Sequence, residues 1–306
     1  MQTVLITGGT GMIGKALTTL FLEKGYKVIV LTRKQKKTHR LNLSFAKWDI
    51  DKGEIDLDAV NAADIIVHLA GEGVADKRWT EKRKQAIVDS RVNSGNLLVK
   101  ALTENKHQVK TFIAASAIGW YGPDTDNSLA HGFVETDPAD NSYLGNTCQL
   151  WEQSTAPMGK MGIRLVTLRI GIVFNNKGGA LAEFLKPAKF GLATILGNGK
   201  QIVSWIHHKD LCRMIQFAIE NTAIQGTYNA VAPTPVSNKK LVLTIAKNKY
   251  PIYFPSFVPA FLLKIILGEM SIEVLKSANV SAQKIRDAGF VFDYPTVEEA
   301  LVNLMK

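Results

Sequence analysis

The chain has 306 residues, 46% hydrophobic and 21% charged, with 37 Lys and Arg against 27 Asp and Glu for a formal charge of +10. That length and apolar content allow a full buried core, either as one large domain or as a nucleotide domain with a smaller lobe, and exclude a disordered chain. The positive balance fits an anionic cofactor and an acidic or phosphorylated small-molecule substrate, whereas basic residues scattered without interleaved aromatics exclude a nucleic-acid signature.

Strand signals recur at Thr3 to Ile6, Lys27 to Leu31, Phe45 to Trp48, Ile65 to Leu69, Thr111 to Ala115 and Arg164 to Ile170, with helical spacing between most of them. The alternation predicts an α/β fold with a doubly wound parallel sheet, whose ligands lie outside the carboxyl ends of the strands. Residues 1–173 read as a dinucleotide-binding domain to which a segment at about 200–231 returns. Residues 174–306 read mainly as a smaller C-terminal substrate lobe.

The first strand runs into Thr7-Gly8-Gly9-Thr10-Gly11-Met12-Ile13-Gly14. Glycines at 8, 11 and 14 suit a tight turn, close approach to a pyrophosphate, and close packing of helix on strand. Ile13, Ala16, Leu17, Leu20 and Phe21 follow at helical spacing, so free N–H groups and the positive dipole end would face the phosphates. Thr7, Gly8, Thr10, Gly11, Met12, Ile13 and Gly14 are therefore the expected cofactor cradle.

The second strand ends in Thr32-Arg33, where an acidic residue would mark NAD. A guanidinium there binds the 2′-phosphate of NADP, so NADP(H) is the expected cofactor. Lys34, Lys36 and Lys37 add positive field or form a solvated basic loop. Asp49, after the third strand, reads either as a partner for the adenine amino group or as a turn carboxylate. Leu69, Ala70 and Gly71 close the fourth strand with residues suited to lying against the cofactor. Glu72 follows, near the cleft with Arg78 and Trp79 if the loop folds inward; the other reading is a loop-anchoring ion pair with a buried indole.

Only Cys148 and Cys212 are present, and the six histidines form no ligand-spaced pairs with them, so neither a disulfide nor a metal site is expected. His207 and His208 follow an apolar run, and one of them reads as packing or hydrogen-bonding at the lobe junction. The first strand signal begins near Met1 and no apolar run reaches the length of a membrane span, which predicts a cytoplasmic protein without a membrane partner. The richest run, Phe257 to Leu267, is interrupted by Pro259 and Lys264 and reads as a buried helix or a substrate-covering element rather than a membrane anchor.

These motifs resemble the extended short-chain dehydrogenase/reductase superfamily of nucleotide-sugar epimerases and dehydratases. Besides the glycine turn, the resemblance rests on Val92 to Leu98, Ser116-Ala117-Ile118-Gly119-Trp120-Tyr121-Gly122, and Ser204 to Leu211. More narrowly the chain is similar to the subgroup known as "epimerase family protein". His68 to Glu72, Arg78-Trp79-Thr80, Ser90-Arg91, Trp151-Glu152, Gly178-Gly179-Ala180, Ser204 to His207 and the closing Gly289 to Pro295 all suit it. The resemblance implies a Rossmann-type sheet, a homodimer, and Ser116 near the nicotinamide.

The superfamily's chemistry uses a tyrosine as acid/base and a lysine four residues later. Here Tyr143 is followed four residues on by Thr147, and alignment on Glu152 puts Leu144 and Cys148 at the two positions instead. One residue of slip is a helical rotation of about 100°. Ser116, Tyr143, Tyr121 and Glu72 are the expected catalytic candidates, and Cys148 reads as a small buried residue. The implied activity is an NADP-dependent oxidoreductase or epimerase acting by hydride transfer at a carbonyl or carbinol carbon, a sugar nucleotide being one substrate it admits. The alternative is a noncatalytic NADP(H)-binding redox sensor.

Overall fold

The computed structural model of the chain describes residues 1–34, 37–176, 178–250 and 252–305. The first half runs β1 (Thr3–Thr7), α1 (Met12–Glu23), β2 (Lys27–Thr32), β3 (Leu43–Asp49), β4 (Glu54–Ile55), α2 (Leu57–Asn61), β5 (Ile65–His68), α3 (Glu81–Glu104) and β6 (Thr111–Ala117). After α4 (Asp126–His131), α5 (Tyr143–Thr155) and α6 (Pro157–Lys160) come β7 (Arg164–Ile170) and β8 (Ile172–Phe174). The remainder comprises α7 (Ala180–Ala188), β9 (Leu192–Leu196), β10 (Ile202–Val203), β11 (Trp205–His207), α8 (His208–Glu220), β12 (Gly226–Ala230), β13 (Val236–Ser237), α9 (Asn238–Lys249), β14 (Phe254–Val258), α10 (Ala260–Leu267), α11 (Ser271–Leu275), α12 (Gln283–Asp287) and α13 (Val297–Leu304).

The main sheet has the order β12-β7-β6-β5-β1-β2-β3-β4, parallel throughout except for the antiparallel edge strand β4. It is the Rossmann-like α/β fold. Strands β1 and β5 are buried along their whole length, as expected of strands covered by helices on both faces. Val4, Ile6 and Val67 pack with Leu17 and Phe21 of α1 and with Met214 and Ile215 of α8. Leu5, Ile66 and Phe112 turn to the other face, against Leu97, Leu98 and Leu102 of α3. The period-2 alternation of the strands thus feeds two separate helix layers.

Strand β12 lies beside β7, and β8 pairs in parallel with β11. Val280, Ile285 and Phe290 also return to the core that contains Val4 and Ile6, although the sequence reading assigns them to the lobe. The lobe itself has its own core, in which Leu181 of α7, Leu241 and Ile245 of α9 and Leu301 of α13 surround the stacked rings of Phe174 and Trp205.

The run Phe257 to Leu267 is not the buried helix anticipated. Pro259 stands at the N-cap of α10 and accepts backbone bonds from Leu262 and Leu263, so it divides the run into a strand end and a short helix. Leu263 is the buried residue of that helix. Among the described residues no helix is long and apolar enough to cross a membrane.

Candidate cofactor and active site

The glycine turn is built by exclusion. Gly8 adopts φ +67°, and a Cβ there would stand 2.7 Å from the Leu69 carbonyl oxygen. At Gly14 a Cβ would stand 2.4 Å from both Gly8 O and Gly9 Cα, so α1 can sit on the turn only with glycine there. Helix α1 starts after Gly11 with no side chain capping it, Thr10 and Gly11 are exposed, and Met12 and Ile13 are half-buried. The first-turn N–H groups are left to an outside acceptor, which is the chemistry of a phosphate cradle.

Thr7 serves the cradle from beneath rather than at its surface. Its fully buried hydroxyl accepts from Leu69 N and Ala70 N, both at 3.1 Å, and lies 2.7 Å from His68 Nδ1. With two N–H donors on Thr7 Oγ1, its own proton goes to Nδ1, so His68 carries hydrogen on Nε2. That hydrogen faces Ser94 Oγ at 3.3 Å, which in turn donates to the Arg91 carbonyl at 2.9 Å. Burial pulls His68 down to about 4, so this chain of bonds is neutral. It fastens β1, β5 and α3 together under the turn and corrects the expectation that Thr7 touches cofactor.

Arg33 is exposed at the carboxyl end of β2 beside Thr32, whose hydroxyl accepts from Lys34 N at 3.4 Å. Lys34 and Lys37 are exposed as well, and Lys36 lies outside the described residues. Asp49 accepts from Lys52 N at 3.3 Å, so its carboxylate is engaged in the turn between β3 and β4. Ala70 is buried, while Gly71 and Glu72 are exposed at the end of β5. Glu72 pairs with Arg83, whose Nη2 also donates to Gly73 O at 2.6 Å, and Trp79 is buried with its indole N–H on Val74 O at 2.9 Å. Of the two readings offered for this loop, the anchoring one is what the contacts describe. Arg78 lies instead against Gly268 of the lobe.

Ser116, only 1% exposed, donates to Glu152 Oε1 at 2.7 Å. Arg169 grips the same carboxylate with Nε at 2.8 Å and Nη2 at 3.1 Å, and it lies over the Trp120 ring at 3.6 Å. Its Nη1 reaches Tyr121 Oη at 3.1 Å, and Tyr121 donates to Asn229 Oδ1 at 2.7 Å. Burial pushes Tyr121 up to about 12. Tyr121 is therefore a core residue, stacked on Phe133, and not a proton donor. Ser116 is enclosed at the end of β6, with its hydroxyl committed to Glu152.

Tyr143 also departs from its expected role. Its hydroxyl donates to the Lys84 carbonyl at 2.9 Å and its ring meets Trp79 edge-on, so it belongs to the α3–α5 contact. Leu144 and Cys148, with Glu152 a turn further on, are α5 residues that face the end of β6. A Cβ on Gly119 would stand 3.3 Å from Leu144 Cβ and 3.5 Å from Cys148 Sγ, and Cys148 Sγ lies 3.6 Å from Ala117 O. Burial pushes the Cys148 thiol up to about 12, which leaves it inert.

Residues 4–230 match the NAD dependent epimerase/dehydratase family, and residues 258–304 match a domain of unknown function, DUF1731. The chain belongs to the NAD dependent epimerase/dehydratase family. It is similar to epimerase family protein YfhF of Bacillus subtilis (strain 168), 36% identical over 304 residues covering 99% of this chain and 97% of that protein. Epimerase family protein SH2119 of Staphylococcus haemolyticus is 34% identical over 100% of this chain and 99% of that one. Among solved structures, human epimerase family protein SDR39U1 with NADPH superposes with a TM-score of 0.87 at 27% identity, over 99% of each chain. UDP-N-acetylglucosamine 4-epimerase from Bacillus cereus, at 19% identity and a TM-score of 0.73 over 100% of this chain and 96% of that one, shares the fold.

The function is accordingly of the NAD(P)-dependent oxidoreductase or epimerase type. Within that family's frame, this chain places Leu144 and Cys148 where the sequence resemblance expects tyrosine and lysine. Two cations stand nearby to which the sequence reading assigned no role, Lys276, paired with Glu273 at 2.7 Å, and Arg91. Arg91 of α3 is only 8% exposed, stacks 4.8 Å over the Trp151 ring, and donates Nη1 to Ile87 O of its own helix at 2.9 Å. A Cβ on Gly71 would stand 3.2 Å from its Cζ. Among the described residues no carboxylate pairs with it. Its signal in the sequence is the Ser90-Arg91 pair, quoted for the subgroup resemblance without a chemical task. Glu152 stood in the same position, named as a motif and as a register anchor but not as the partner of Ser116 and Arg169.

Proposed function

We propose that this chain binds NADP(H) along the carboxyl edge of the sheet and reduces a carbonyl carbon of a small anionic molecule. The observation that carries this reading is the glycine cradle under the uncapped start of α1, with Arg33 exposed at the end of the neighbouring strand. The nucleotide would supply hydride. Gly8 to Gly14 would hold its pyrophosphate, Leu69, Ala70 and Gly71 would lie against its backbone, and Arg33 would select the 2′-phosphate.

Reduction suits the remaining groups better than epimerisation. Oxidising a carbinol needs a base to take the hydroxyl proton, and neither Leu144 nor the inert Cys148 can do so. A carbonyl that gains hydride becomes an alkoxide that must then take a proton, here from solvent water, and Arg91 behind Gly71 would supply a buried positive charge near that oxygen. The same replacements favour a second reading, in which NADP(H) is bound and sensed without turnover.

Native mass spectrometry of the freshly purified chain, followed by titration of the stripped protein with NADPH and NADH, tests both readings. Preferential NADPH binding with oxidation of the bound nucleotide by a carbonyl substrate is the expected result. NADPH binding that alters the protein's shape without any oxidation would favour the sensor, and binding of neither nucleotide would overturn both.

A further inference from the structure

The most unusual surface of this chain is on the lobe, at β14 and α10. Phe254 and Phe257 of β14, Phe261 and Ile265 of α10, and the flanking Phe190 and Ile252 are all more than half exposed, Phe190 at 83% and Phe254 at 67%. They cluster along the chain, with Phe254 and Phe257 on opposite faces of the two-stranded β14–β9 ladder and Phe261 and Ile265 one helical turn apart on α10. Phe254 N bonds to Gly191 O at 2.8 Å, which joins Phe190 and Ile252 to the start of β14, and β14 leads through Pro259 into α10. Strand β14 pairs with β9 along one edge. Solitary exposed apolar residues need no explanation, but a contiguous run of large ones marks a docking surface.

Charge says what docks there. From Asn221 to Gly268 the sequence holds five lysines, Lys239, Lys240, Lys247, Lys249 and Lys264, and no Asp or Glu, with Lys240 paired to Glu298 at 3.0 Å and Glu269 and Glu273 following α10. Residues 184–209, which include β9 and Phe190, likewise contain no acid. Lys247 and Lys249 close α9 immediately before Ile252, and Lys264 lies within α10 between Phe261 and Ile265. A second copy of this chain would bring two basic faces together, which charge opposes. A short, nearly all-apolar helix with lysines at its margin fits the boundary between acyl chains and anionic headgroups. With eight residues α10 is about 12 Å long, so it can lie in that interface but cannot span it.

We infer that the lobe face formed by β14 and α10 is a peripheral docking surface for an anionic phospholipid bilayer. This redirects the expectation that the chain has no membrane partner, which rested on the lack of a spanning segment. The face would seat the protein reversibly on the bilayer.

The test is flotation of the full chain with vesicles of phosphatidylglycerol and phosphatidylcholine in equal parts, compared with vesicles of phosphatidylcholine alone. The wild type should float with the anionic vesicles and lose binding in high salt. Lys247→Ala/Lys249→Ala should weaken partitioning about 25-fold, at roughly fivefold per lysine. Phe257→Ser/Phe261→Ser should abolish it while leaving the melting temperature and NADPH affinity unchanged. No flotation of the wild type, or equal flotation of both variants, would overturn the inference. So would light scattering that shows a dimer dispersed by Phe257→Ser/Phe261→Ser, which would assign the face to a second copy.

Discussion

Glu152 and Arg169 meet in a two-point ion pair, Nε to Oε1 at 2.8 Å and Nη2 to Oε2 at 3.1 Å, and the same Oε1 accepts the Ser116 hydroxyl. The pair is nearly buried, so neutralising one partner strands the other. Glu152→Gln should lower stability by about 3–5 kcal/mol, read from urea unfolding. A loss below about 1 kcal/mol would mean that water reaches the site and screens the pair.

Ser116→Ala removes a hydrogen bond to a charged acceptor and should cost about 1.5–3 kcal/mol of stability. Because the hydroxyl is enclosed, NADPH affinity and any turnover measured on the folded variant should stay within about twofold of wild type. Turnover lost at unchanged stability would return Ser116 to the reacting centre.

Tyr143→Phe should be mild. The substitution removes the bond to Lys84 O, a neutral hydrogen bond worth about 1 kcal/mol, and leaves the contact with Trp79 in place. Turnover should be retained in a steady-state assay, whereas its abolition would show that the α5 tyrosine swings toward the nucleotide.

The sheet was legible because its determinants are local. The glycine spacing from Gly8 to Gly14 and the apolar runs of the strands each fix one element, and β7 spans Arg164–Ile170 as its strand signal does. Strand alternation also announced the two helix layers. The polar side of the site was less legible because it is assembled across distant segments. Nothing local at Ser116 indicates that Glu152 and Arg169 will enclose it, and Arg91 meets Gly71 only through the packing of α3 on β5. The register argument singled out Leu144 and Cys148, and these pack against Gly119 and Ala117 because a helix rotates by a fixed angle per residue. The lobe defeated periodicity for a different reason: an apolar run signals burial unless something outside the chain covers it, and Phe257, Phe261 and Ile265 stay exposed.

Arg33→Ala should separate the two nicotinamide nucleotides. A charge-assisted bond to a phosphate is worth about 1.5–3 kcal/mol, so NADPH affinity should fall about 10- to 100-fold while NADH affinity is unchanged. Parallel titrations followed by fluorescence would measure both. An equal effect on the two nucleotides would place Arg33 at the shared pyrophosphate instead, and no effect would remove it from the site.

The clamp under the glycine turn gives stability a dependence on acid. His68 sits at about 4 in the folded chain because of burial, against an ordinary value of 6.5. Between those values the unfolded chain binds a proton that the folded chain refuses, so acidification favours unfolding. The contribution is fully present above about 6.5, is lost progressively as pH falls toward 4, and amounts to at most about 3 kcal/mol at 1.36 kcal/mol per pH unit. Burial also pulls His207 down, to about 3, which adds a loss of the same sign, so the informative quantity is a difference between proteins. His68→Gln should be less stable than wild type near neutrality, because the bonds to Thr7 and Ser94 are weakened, and its stability should fall less steeply from pH 6.5 to 4. Urea unfolding at several pH values checks this. Parallel curves for the two proteins would show that His68 takes up its proton while folded and that the Thr7–His68–Ser94 clamp opens without unfolding the chain.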